Sequence, residues 1–386
     1  MLLVASVSVN AQWQDPLKSP AMTTMKAHTE LLLDVTLADA RVVAVGAYGN
    51  IIYSDDDGVT WRQAQVPVSV TLTAVNFIDQ QHGWAVGHDG VILTSMDSGE
   101  TWQVQFDGYA ANEAMAATLQ TLVADAEDQI EQMQMSADDG QVDSQALNDA
   151  RSQLDNLALG YDDALYDVET GSTRPFLDVE FVDAQRGFAI GAYGMAFMTN
   201  DGGQTWKDFS QSLPNPFRMH LNAISVNKAS GKLSIVGESG MMFSSNDNGD
   251  TWQLQPVPYT GSLFGLLTLD AEQWLFGLRG HVFHSVDNGN NWQEVAADKE
   301  QTLMNGVFDQ QALVLVGNGG LVLTKRPNET AFSQQYLAGR ESNAAVIKAQ
   351  NNNYILAGEY GIRLLSTSFE PLKSQIRMVK AGDKDE

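Results

Sequence analysis

Five copies of one eight-residue pattern recur along the chain, beginning with Ser54-x-Asp56-x-Gly58-x-Thr60-Trp61 and repeating over 95–102, 199–206, 245–252 and 285–292. In the last copy Asn291 stands where the others have Thr. Ten residues ahead of each aspartate lies the first glycine of a Gly-x-x-Gly turn, at Gly46, Gly87, Gly191, Gly237 and Gly277, and further turns begin at Gly317 and Gly358. Seven units result. Their first glycines are 41, 104, 46, 40, 40 and 41 residues apart, about the length of one four-stranded propeller blade, with a single large insertion. Within the second unit, 74–78, 83–87, 91–94 and 101–105 read as four short strands. The spacing predicts an all-β, seven-bladed β-propeller of four-stranded antiparallel blades.

Each position of the repeated pattern has a structural reason. Asp56, Asp97, Asp201, Asp247 and Asp287 are placed to accept backbone N–H groups in the turn between strands three and four, and the glycines supply a backbone shape that a side chain resists. The Ser and Thr hydroxyls satisfy further local groups. Trp61, Trp102, Trp206, Trp252 and Trp292 then offer large apolar rings to anchor each turn between neighbouring sheets.

This element is an Asp box, or BNR repeat. Together with seven Gly-x-x-Gly turns, as in Gly87-His88-Asp89-Gly90 followed by an Asp box over 95–102, it resembles the Ycf48/HCF136 family of photosystem II assembly and stability factors over most of the chain. The resemblance implies a non-enzymatic, extracytoplasmic or lumenal propeller that helps membrane-protein subunits assemble. Relatives outside photosynthetic organisms resemble accessory proteins of membrane transport systems, so the implied client extends to a transporter. Asp boxes occur in sialidases too, and a glycan-binding or glycan-cleaving propeller is the alternative reading.

The last two units depart from the pattern. After Gly317 the box region carries no aspartate and has Phe332 where Trp is expected; after Gly358, Ser368 falls at the Asp position and no Trp follows. Blade seven therefore needs a strand from elsewhere. Gln12-Trp13-Gln14 matches the fourth-strand fragment at 101–103 and is expected to close the ring, with 372–379 as the other candidate. Residues 1–11 read as the remnant of a signal peptide lacking its basic start, or else as a short strand. The expected organisation is 12–106 for blades one and two with the closing strand, 107–174 for the insertion, 175–379 for blades three to seven, and 380–386 as a polar tail.

Composition narrows the partners. The formal charge is −26, which disfavours nucleic acid and anionic lipid, and Lys325-Arg326 is the only adjacent basic pair. No run of 18 apolar residues is present to suggest a membrane-spanning helix. A periplasmic or otherwise extracytoplasmic monomer, without cofactor or metal and bound to membrane-protein subunits, is expected. The chain has no cysteine, which excludes disulfides and thiolate metal sites.

The insertion accounts for half of the charge. Between residues 103 and 177 stand fifteen Asp or Glu against Arg151 and Arg174 alone. Leu119, Leu122, Val123, Ala126, Ile130 and Met133 recur at helical spacing, as do Val142, Ala146, Leu147, Ala150, Leu154 and Leu157, with a break over 136–140. An antiparallel helical hairpin is predicted, serving as a solvated acidic pole or as a docking arm. Asp138-Asp139-Gly140 lacks the ligand spacing of a calcium loop.

Blade topology places the hairpin on the same face as the Gly-x-x-Gly turns, opposite the Asp boxes. The turns display Tyr48, His88, Asp89, Tyr193, Glu238, Arg279, Asn318, Glu359 and Tyr360. Tyrosine and arginine often carry interface energy, so these nine residues form the expected protein-binding face. No catalytic residue is assigned. The eleven arginines are scattered, so the arginine cluster of a sialidase-like site cannot be assembled, although Asp89, Glu238 and Glu359 offer carboxylates. His281 and His284, three apart on a strand, point to opposite faces and do not share a metal.

Overall fold

A computed structural model describes residues 14–138, 143–297, 300–308, 311–372 and 376–380. Seven antiparallel sheets follow one another in chain order. Blade one is built from Leu32–Ala38, Arg41–Gly46, Ile51–Ser54 and Thr60–Gln63, and blade two from Leu72–Phe77, Gly83–Gly87, Ile92–Ser95 and Gln103–Phe106. Blades three to seven open with strands at Phe176, Leu221, Leu263, Leu303 and Asn343. Each opening strand touches the next one, and the last, Asn343–Lys348, returns to touch Leu32–Ala38. These inner strands therefore ring a central channel of about 410 Å³. The second strands are buried almost throughout, because a blade is covered on both faces by its neighbours.

Each Asp-box tryptophan fills the seam to the preceding blade. Trp102 packs with Val43 and Tyr53 of blade one, and Trp206 with Trp84 and Val86 of blade two. Trp252 lies on Phe209 and Phe188 of blade three, and Trp61 among Ile355 and Leu364 of blade seven. Truncating one such ring in a seam costs about 3–5 kcal/mol. Blades six and seven use phenylalanine instead. Phe332 meets Trp274 of blade five at 6.2 Å, and Phe369 stacks on Tyr354 at 5.0 Å while packing among Val314 and Val316 of blade six.

The box itself is a closed hydrogen-bond circuit. The Ser54 hydroxyl donates to Asp56 at 2.8 Å and accepts the Gly58 N–H at 2.9 Å. Asp56 in turn accepts the Thr60 N–H at 2.7 Å and its hydroxyl at 2.8 Å, while the Trp61 indole donates to the Gly58 carbonyl. In the fifth box the Asn291 side-chain amide donates to Asp287 where the Thr hydroxyl does elsewhere. Blade seven retains part of the circuit, with Ser366 in contact with Ser368 at 2.9 Å and accepting the Glu370 N–H at 3.2 Å.

A bulge recurs near the start of every inner strand, at the pairing with the following second strand. Inner strands of neighbouring blades do not pair, so their edge N–H groups need other acceptors. Asp34, Asp178 and Asn305 supply them, accepting from Val75, Ile224 and Val346 of the following blade at 2.9, 2.8 and 3.3 Å.

The insertion is a helical pair, α1 (Gly108–Asp138) and α2 (Ser144–Thr170), rooted between blades two and three. Ala111 and Met115 join the apolar cluster between those blades, and the Asn112 amide donates to the carbonyls of Asp167 and Gly171. Farther out, Ala116, Leu119 and Ala164 form a small core of their own with Leu157 and Tyr161.

The residues of the expected N-terminal closing strand, Gln12 and Trp13, lie outside the described residues, as do 1–11; Gln14 is outside any strand. The C-terminal segment adds a backbone link from blade seven to blade one. Leu372 donates to the Leu364 carbonyl at 2.9 Å, beside the outer strand of blade seven. Arg377–Met378 then pairs in parallel with Thr60 and Trp61 of blade one. Gln65 makes the corresponding parallel bridge from blade one to Thr101 of blade two.

Candidate functional site

The Gly-x-x-Gly turns gain their display from backbone geometry. Tyr48, Asp89, Tyr193, Ser239 and Arg279 all occupy the left-handed region, with φ between 55° and 58°. A residue with a Cβ adopts this conformation at some cost, and here each turn is held in it by two packed glycines. A Cβ at Gly46 would meet the Leu31 carbonyl at 2.1 Å, and one at Gly49 the Val68 carbonyl at 2.1 Å, so the turn lies flush on the blade. The middle side chains consequently stand outward. Tyr48, Tyr193 and Tyr360 are 74%, 55% and 60% exposed, and His88, Arg279, Asn318 and Glu359 are exposed as well.

The hairpin shares this face. Its root closes on the second turn, where the Ser172 hydroxyl donates to the Asp89 carbonyl at 2.5 Å and Gly90 abuts Gly108. The third turn lies beside it: the Arg174 guanidinium sits 5.6 Å from the Tyr193 ring, and His220 approaches that ring edge-on at 4.9 Å. Arg174 also pairs with Asp167 of α2. Burial pushes the Asp89 carboxyl upward, and nearby Asp15 adds to the effect. The structure thus brings Asp89 and Tyr193 to the hairpin root, whereas Tyr48 and Tyr360 flank the seam between blades one and seven.

The acids of this face are engaged locally. Glu238 accepts the His220 N–H at 2.8 Å and lies 3.2 Å from its Nδ1, and Glu359 accepts the Ser342 N–H at 3.3 Å. Arginines are spread among salt bridges, with Arg41 on Asp55 and Glu100, Arg186 on Asp250, and Arg363 on Glu341. His281 contacts Glu294 and His284 contacts Glu272, each at 2.8 Å. Among the described residues no group of three or more His, Asp or Glu side chains is arranged to hold a metal ion. Asp139 and Gly140 lie outside the described residues.

Two surface features escaped the sequence reading. Met22 and Met25, 81% and 53% exposed, lie on the segment ahead of blade one, where the Gln63 side chain accepts the Thr24 N–H and donates to the Met22 carbonyl. Phe217, 81% exposed, tops the loop between blades three and four. Only its setting, Pro214-Asn215-Pro216-Phe217, marks it in the sequence.

Comparison with known proteins gives a consistent likeness. The family model described as photosynthesis system II assembly factor YCF48 matches residues 59–130 and 163–265. The photosystem II assembly protein Ycf48 of Thermosynechococcus vestitus is 37% identical over 43 residues, 11% of this chain and 12% of that protein. The photosystem II assembly lipoprotein Ycf48 of Parasynechococcus marenigrum is 42% identical over 55 residues, 14% of this chain and 16% of the relative. The aligned stretches therefore span less than a fifth of these relatives' length. In fold, the solved structure of YCF48 from Cyanidioschyzon merolae covers 90% of this chain and 97% of its own at a TM-score of 0.57 and 12% identity. Among the described residues no helix is long and apolar enough to cross a membrane.

Proposed function

We propose, from the premise that this is a Ycf48-like seven-bladed propeller, that the chain is a non-catalytic assembly or scaffold factor for a membrane-protein complex, acting outside the cytoplasm. The observation that carries the reading is the glycine-turn face. Left-handed turns hold Tyr48, Tyr193 and Arg279 out from a rigid scaffold, with Tyr360 beside them. Amphipathic side chains presented on rigid turns lose little conformational freedom on binding a protein. The relatives named as photosystem II assembly proteins support a subunit of that complex as client, and in a host without it the client is a transporter. The relative named a lipoprotein supports an extracytoplasmic site of action.

Photocrosslinking in the native host tests this reading, with the crosslinker at Tyr193 or at Gln134 of the hairpin and a control at Asn248 on the Asp-box face. A membrane-protein subunit captured from the first two positions and not from the control is the expected result. Silence at all three positions, or equal capture from Asn248, overturns the reading and directs the search to glycans.

A further inference from the structure

Beside the third glycine turn, α1, α2 and the loop between blades three and four enclose a groove of about 830 Å³. Its floor is apolar, formed by Leu119 and Leu122 of α1 and Leu157 and Leu159 of α2. Phe217 makes the opposite wall. Leu159, 64% exposed, and Phe217, 81% exposed, set two large apolar groups on the one groove.

The Phe217 wall is built rather than loose. Asn215 ties the loop by donating to the Met219 carbonyl and accepting the Met219 N–H, both at 3.0 Å. Arg218 reaches back to Asp163 of α2 at 3.6 Å, and a Cβ at Gly160 would stand 2.5 Å from its guanidinium. The loop is thereby stapled to the hairpin at one spacing.

We infer that this groove seats a basic amphipathic α-helix of the partner protein. The inference deepens the assembly reading by naming the class of segment recognised. A helix fits because α1 and α2 have no open backbone edge to pair with a strand, whereas side-chain ridges of a third helix can enter the groove between two others. The lining runs from Leu119 to Gln129 on α1, about 15 Å or three helical turns. Charge fixes the rest of the occupant. Asp125 and Asp163 line the groove, and residues 103–177 carry fifteen acids, two arginines and no lysine. Arg218, the one cation among the lining residues, is already paired with Asp163. An acidic or neutral helix gains nothing from that field, while a helix with Lys or Arg along the edge of its apolar stripe gains at the Asp125 rim and from the acidic hairpin around it.

The test uses the full chain and a fluorescent Leu/Lys peptide of about 14 residues with leucines at helical spacing. Its controls are a scrambled peptide of the same composition and a Leu/Glu version. Anisotropy titrations are expected to show binding to the amphipathic Leu/Lys helix at least about tenfold tighter than to the scrambled peptide, weakening with salt. Phe217→Ala and, separately, Asp125→Lys should each weaken it about five- to tenfold. Circular dichroism melts of the two exposed-site variants confirm that they fold. Equal affinity for the scrambled peptide, or affinity unchanged in Phe217→Ala, overturns the proposal by reducing it to general charge attraction. Self-association of the chain that Phe217→Ala abolishes also overturns it, because a second copy then fills the groove. Failure here leaves crosslinking from Tyr193 unaffected, so the two readings fail separately.

Discussion

Asp34 and Asp178 occupy equivalent positions after the inner-strand bulge, where blade six has Asn305. All three link to the next blade through a side-chain oxygen, so the link itself needs no charge. Burial pushes both carboxyls up to about 7, against the pull of two backbone N–H donors each. Both line the channel wall and keep partial exposure. Between the ordinary aspartate value of 3.8 and about 7, the unfolded chain ionises while the folded chain keeps its protons. Stability therefore falls as pH rises through that window and levels off above it, by on the order of 1 kcal/mol or more per site. The double variant Asp34→Asn, Asp178→Asn should match the native chain in urea melts near pH 4 and exceed it near pH 8. An equal loss at both pH values would show that the carboxylates stabilise the ring as anions. Glu180, desolvated beside Asp178 and raised to about 8, keeps part of the slope in the variant. The Asp boxes work in the opposite direction. Hydrogen bonds from the side chains of Thr205, Thr251 and Asn291, with others in each circuit, hold Asp201, Asp247 and Asp287 at about 2, so their contribution is lost as pH falls from the ordinary aspartate value of 3.8 through about 2. The sequence exposed the second set, whose partners lie within four residues, and gave no sign of the first, whose partners lie 41 and 46 residues away.

At the scale of elements, the helical pair was readable because its stripes are periodic: Leu119 and Ile130 are buried, as the spacing requires. The acidity of the hairpin was equally plain. What the sequence did not show is the groove, since its wall comes from Phe217, more than fifty residues beyond α2's Leu159 in the chain. Nor did it show how unequal the hairpin's two halves are. The proximal half, with Ala111, Met115 and Asn112 in the seam between blades two and three and the small Ala116, Leu119 and Ala164 core just beyond, holds the apolar clusters, and no described residue of 124–155 belongs to them. Replacing residues 124–155 by a short Gly-rich turn should therefore leave the propeller's thermal midpoint within about 2–4 °C of the native value, corresponding to roughly 1 kcal/mol. Calorimetry decides this. A large loss of midpoint or of cooperativity would mean that the distal helices brace the ring. The recurring glycines made the blades visible for a related reason: a close approach of backbone to backbone, as at Gly46 and Leu31, tolerates no side chain and leaves the same mark seven times.

A propeller is stable as a whole only when its last blade is joined to its first, and here the two are chemically unlike. Blades one to five each contribute an Asp-box tryptophan to the seam before them, whereas blade seven offers no tryptophan and a three-stranded sheet. The seam between blades seven and one relies on Trp61, the Ala345, Ile355 and Leu364 surface, and Met378 of the C-terminal segment. That segment repeats what Gln65 does between blades one and two, which explains its parallel pairing: it is the exit path of a blade whose fourth strand is vestigial. The sequence located the defect in blade seven, and named this segment only as the second choice, because a strand of two residues leaves almost no periodic trace. Ending the chain after residue 370 should remove the Leu372 and Arg377 links, uncover part of Trp61, and cost about 2–4 kcal/mol, with Met378→Ala alone costing less. Hydrogen exchange gives the more specific readout. Faster exchange at Ile355 and Val42, beside the seam, with Leu275 and Ile235 unchanged, is the signature of a ring that opens at one joint. Uniform acceleration in all blades would mean instead that the ring unfolds as one cooperative unit and that its joints are equivalent.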